Sequence, residues 1–150
     1  MISSRLRVVL DTNVLVAALR SDRGASRKLL MYGLDRKIRL VVSVPLVIEY
    51  ESVLTRSEHL AAAGGSATEV NALIDAIVKV AEPVILRFLW RPRLKDPADE
   101  MVLETAINGR ADRLVTFNLR HLKSAAGEFG ILALSPAEMW KEVQHLHEKE

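Results

Sequence analysis

The chain has 150 residues, 49% hydrophobic and 27% charged, with a formal net charge of +2 and no cysteine. This is the length and composition expected of a single domain over residues 1–150 with its own core, and they argue against a disordered chain. The lack of cysteine excludes disulfides, thiolate metal sites and a cysteine nucleophile, and suits a reducing, cytoplasmic compartment.

Leu6 to Leu10 reads as a short buried strand, and Asp11 and Thr12 can cap a helix that runs to about Leu19. Ala25 to Leu34 has a helical period. Arg39 to Ser43 reads as a strand, and Pro45 suits the first turn of a helix extending to about Arg56. Ala61 to Ser66 is the best loop candidate. Thr68 to Val80 is helical, and Pro83 to Leu86 is a short strand. Pro97 opens a helix through about Ile107, which Asn108-Gly109 stops. Arg113 to Thr116 and Gly130 to Leu134 are strands. Ser135, Pro136 and Glu138 together mark the start of a last helix. The longest apolar stretch, Leu40 to Ile48, contains Pro45 and is far too short to span a bilayer, so no membrane association is expected.

Strands alternating with helices predict an α/β fold with a parallel sheet. In such sheets ligands bind beyond the carboxyl ends of the strands. The residues just after each strand are therefore the ones to inspect, and several are acids.

Asp11 follows the first strand directly, where it could equally be a helix N-cap. Glu49 borders the apolar stripe of the helix after the second strand, and Glu51 borders it on the other side. Periodicity does not choose between them. Asp96 precedes Pro97 as an N-cap would. Counting about 100° per residue places Asp99 in the middle of the face formed by Val102, Leu103, Ala106 and Ile107, and turns Glu100 and Glu104 outward to solvent. The helix dipole favours an acid in the first turn by only about 0.3–1 kcal/mol, too little to offset burying a charge among other acids. A divalent ion would make the cluster tolerable, and Mg²⁺ or Mn²⁺ accepts such oxygen ligands. Arg87, Arg91, Arg93 and Lys95 form an acid-free basic run that ends beside Asp96, where they could contact phosphates.

Val9-Leu10-Asp11-Thr12-Asn13-Val14-Leu15, Ser43 to Leu54 with Glu49, Asp96-Pro97-Ala98-Asp99, and Ala111 to Asn118 occur in the order and spacing of one family. The chain resembles the PIN-domain nucleases from about Arg5 to Trp140, with the nearest look to the VapC-like toxins of toxin–antitoxin pairs. The resemblance implies a three-layer α/β/α sandwich with a central parallel sheet of four to five strands. It implies Mg²⁺- or Mn²⁺-dependent cleavage of single-stranded RNA, an antitoxin partner and a homodimer. The family's first acid maps to Asp11, its helix glutamate to Glu49 and its third acid to Asp99. Asp96 matches a nearby acid often present in this branch. Thr12, Asn13 and Thr116 are candidates to support the site by hydrogen bonds.

One position departs from the pattern. Where the family commonly has an aspartate after the Val-Thr strand, this chain has Asn118, which offers a carbonyl oxygen without negative charge. A second metal would bind more weakly there. The alternatives this leaves are a catalytically weakened domain that binds RNA or protein, and a phosphohydrolase on a similar sheet. His121, three residues after Asn118, reads foremost as a surface histidine.

Overall fold

The computed structural model describes residues 5–87 and 96–148. The elements in chain order are β1 (Arg7–Leu10), α1 (Thr12–Arg20), α2 (Ala25–Leu34), β2 (Arg39–Val42), α3 (Val44–Leu54), α4 (Ser57–Ala63), α5 (Ala67–Val80), β3 (Glu82–Pro83), α6 (Pro97–Asn108), β4 (Arg113–Val115), α7 (Leu119–Gly127), β5 (Leu132–Leu134) and α8 (Pro136–Glu148). The strands form a five-stranded sheet in the order β3-β2-β1-β4-β5, every pair parallel.

The strands are short and almost wholly apolar because helices cover both faces of the sheet. Val8, Val9, Leu114 and Val115 have no exposed surface. The chain first steps from β1 out to β2 and β3, then crosses back to β4 and β5. Right-handed crossovers therefore place α1 to α5 on one face and α6 and α7 on the other. The packing agrees: α1 lies against α2 and α3, α2 and α3 against α5, and α6 against α7, while α8 returns to α2. The result is the expected three-layer α/β/α sandwich.

Local chemistry explains most boundaries. Ser43 caps α3, its hydroxyl accepting from the Leu46 amide, with Pro45 in the first turn. Gly109 ends α6 where a Cβ would stand 2.5 Å from a Val41 methyl, so glycine lets the helix end sit directly on β2.

Four expectations need correction. The strand expected over Pro83 to Leu86 is the two-residue β3, Glu82–Pro83. The Ala61 to Ser66 loop begins only at Gly64, because Ser57–Ala63 is a helix whose end Gly64 turns with φ of +69°. Leu119–Gly127, given no element from sequence, is a helix that buries Leu122 and Ala126. Glu100 and Glu104 are 4% and 1% exposed rather than solvent-facing. The reason is that α6 touches α3, α7 and three strands, so it is covered on more than the one face that an apolar stripe reveals.

Candidate active site

The strand order reverses direction between β1 and β4, and in open parallel sheets the ligand crevice lies beyond the carboxyl ends of the strands at such a point. Asp11 stands there. Its amide donates to the Val115 carbonyl at 2.9 Å, which ties the end of β1 to β4. Asp11 occupies the N-cap position of α1, yet its side chain makes no capping hydrogen bond. The carboxylate turns to the Thr116 hydroxyl instead, which donates to Oδ2 at 2.7 Å. The Thr116 oxygen in turn accepts the Asn118 amide at 2.9 Å. Asn13 is half-buried and its Oδ1 accepts from the Phe117 amide at 3.4 Å. Thr12 is buried, and its hydroxyl has no partner among the described residues.

The first turn of α6 contributes the other acids. Asp96 is exposed and caps the helix, its Oδ1 accepting from the Ala98 amide at 2.9 Å. Asp99 is 5% exposed. The Asn118 side-chain amide donates to both Asp99 oxygens, at 3.2 and 3.4 Å, and His121 Nδ1 lies 3.5 Å from Oδ2. Asn118 thus offers its amide hydrogens to the acid, where the sequence suggested a carbonyl oxygen for a cation. His121 is at the surface, as expected, with 58% of its side chain exposed, and reaches the site from there.

Burial pushes the Asp11 carboxyl up to about 6. The hydrogen bonds from Thr116 and the Thr12 amide pull the other way, and the charges of Asp99 and Asp96 add to the rise. Three acids from two elements therefore share one electrostatic environment. Among the described residues no three His, Asp or Glu side chains close around a common point. The acids are electrostatically coupled without forming a ready-made metal cage among the described residues.

Glu49 is half-buried on α3, whereas Glu51 is exposed, so tertiary packing separates the two candidates that periodicity left equal. No hydrogen bond or ion pair joins Glu49 to Asp11 or Asp99 among the described residues. Its neighbour Tyr50 does connect to the site. The buried Tyr50 hydroxyl donates to the Leu10 carbonyl at 2.5 Å, pinning α3 to the residue before Asp11. Burial, and then the charge of Asp11, raise the Tyr50 hydroxyl above its ordinary range. The signal for Tyr50 was present in Leu46, Tyr50 and Leu54, a buried row at spacing four. Arg87 is exposed, its amide donating to Asn108 Oδ1 at 2.9 Å. Arg91, Arg93 and Lys95 lie outside the described residues.

A family profile described as PIN domain matches residues 7–120. The chain belongs to the PIN domain family. The matched residues include Asp11, Asp96, Asp99, Thr116 and Asn118. Among solved structures, the PIN chain is similar to one in the crystal structure of VapBC2 from Rickettsia felis bound to a DNA fragment from their promoter, with a TM-score of 0.60 and 14% sequence identity. That likeness covers 87% of this chain and 98% of the other, and it shows a shared fold. No curated protein matches the chain. No helix among the described residues is long and apolar enough to cross a membrane.

Proposed function

We propose that this PIN domain is a divalent-metal-dependent endoribonuclease that cleaves single-stranded RNA and serves as the toxin of a toxin–antitoxin pair. The observation that carries this reading is the buried Asp11 carboxyl, raised to about 6 by its surroundings and by Asp99 and Asp96. A protein gains nothing in stability from such an acid, and a cation removes the penalty. The donor set fits magnesium or manganese, which are held by one or two carboxylates and keep several waters.

In this reading Asp11 and Asp99 would hold the ion, with Asp96 completing the negative field. When bound, the ion lowers the pKa of a coordinated water and offsets charge on the phosphoryl group. Thr116 fixes the Asp11 carboxylate by its hydrogen bond. Asn118 and His121 fix Asp99. Thr12 and Asn13 support the start of α1 beside the crevice. Glu49 is assigned to orienting the attacking water from α3. Arg87, with Arg91, Arg93 and Lys95, is assigned to the flanking phosphates. An antitoxin, a homodimer and a cytoplasmic location belong to the same proposal. The VapBC2 fold likeness supports the toxin assignment.

Asn118 favours a second reading, an RNA- or protein-binding module with weakened catalysis, because it presents hydrogen-bond donors to Asp99 in place of a further carboxylate. Cleavage of an unstructured RNA with Mn²⁺, with EDTA, and with Asp11→Asn separates the two. Metal-dependent cutting lost in the variant supports the nuclease. RNA retention by the wild type without cutting supports the module.

A further inference from the structure

The edge of the sheet opposite Asp11 carries a concentration of the other sign. β1 and β2 begin there, with Arg7 beside Arg39. A pocket of about 230 Å³ is lined by Arg5, Arg36, Ile38, Arg39 and Val80. Ile38 and Val80 form its apolar part, and the charges that line it are all guanidinium groups.

Little cancels that charge. Glu82 is paired with Arg7 and reaches Arg39 only at 4.0 Å. The side chains of Arg5 and Arg36 have no hydrogen-bond or ion-pair partner among the described residues. Nearby Lys37 lies over the Tyr32 ring, 5.1 Å from its centroid. α2 ends at Leu34 and α5 at Val80, and their carbonyl ends supply roughly half a negative charge each. Against three arginines that leaves an excess of about two positive charges.

The backbone gives an independent sign. Arg36 has φ of +62°, in the left-handed turn that closes α2. Its amide donates to the Gly33 carbonyl and that of Lys37 to Tyr32. Glycine is the favoured residue at this point of a helix end, and an arginine there costs about 1 kcal/mol. Such strain is held in place by the surrounding structure and clusters at functional sites, although Arg110, which does not line this pocket, also has positive φ.

We infer that this pocket binds a phosphate group, held between the guanidinium groups of Arg5, Arg36 and Arg39. Arginine suits the role because its planar fork donates two hydrogen bonds at once to phosphate oxygens. The site differs from the acidic crevice in charge and lies a strand's length from it, so it stands whether or not the domain cuts RNA.

The test is calorimetric titration of the full chain with inorganic pyrophosphate at low salt in EDTA. The wild type should bind one equivalent saturably. Arg36→Gly should weaken binding about tenfold, the loss of roughly one charged contact, with a melting temperature equal to or above wild type because glycine relieves the turn. Arg5→Gln should weaken it in the same direction, and Asp11→Asn should bind as the wild type does. Displacement by a single-stranded RNA oligonucleotide would identify a phosphodiester backbone as the source of the phosphate. Failure to compete would identify a small phosphate compound, and either outcome supports the site. Absence of saturable binding to the wild type, or equal affinity in Arg36→Gly and Arg5→Gln, would overturn it.

Discussion

The Thr116 hydroxyl donates to the Asp11 carboxylate at 2.7 Å, joining the ends of two adjacent strands across 105 positions of sequence. It also accepts the Asn118 amide, so one oxygen sets the geometry of both strand ends. Thr116→Val keeps the shape and removes both bonds. It is expected to lower metal affinity or cleavage by about 10–100-fold, the usual cost of losing a partner of a metal ligand. Cleavage assays across a Mn²⁺ titration check this.

Asp11→Asn and Asp99→Asn should each reduce RNA cleavage by more than about a hundredfold, since the proposed ligands themselves are lost. Mn²⁺ should raise the melting temperature of the wild type, because a ligand of the native state stabilises it by mass action. In both variants that rise should shrink or vanish. An unchanged rise would place the cation elsewhere.

Without metal, Asp11 gives stability an uncommon pH dependence. Its carboxyl titrates near 6 in the folded chain and near 3.8 when unfolded. Between those values the folded state binds more protons, so Asp11's contribution to stability falls as pH rises from about 4 to 6 and stays low above that. The span corresponds to a loss on the order of 2–3 kcal/mol. Urea unfolding in EDTA at pH 4.5 and 7, with Asp11→Asn as reference, should show the loss in the wild type and little of it in the variant.

Asn118→Asp replaces a donor 3.2 Å from Asp99 with a like charge. The metal-free protein should lose stability at neutral pH and bind Mn²⁺ more tightly, since the added charge is relieved by the cation. Metal-free and Mn²⁺-loaded melting curves should therefore diverge more widely than in the wild type.

Tyr50→Phe removes the only side-chain donor to the Leu10 carbonyl among the described residues. Leaving that buried acceptor unpaired should cost about 1–3 kcal/mol in chemical denaturation. Any loss of cleavage beyond the loss of folded protein would mean that α3 also positions Asp11.

Much of this was legible in the residues. Apolar runs followed by helix starts placed β1, β2, β4 and β5 within a residue or two. The helical count turned Asp99 inward, as the structure has it. These readings succeed because strand burial and helix period are local properties of the chain. The same count misplaced Glu100 and Glu104, since it knows a helix's apolar stripe and nothing of how many neighbours surround it. The electrostatic coupling of Asp11 to Asp99, the different burial of Glu49 and Glu51, and the contacts of Tyr50, Asn118 and His121 arise only when the sheet brings distant segments together. Hydrogen bonds and charge–charge effects act over a few ångströms in space, and distance along the chain carries no record of them.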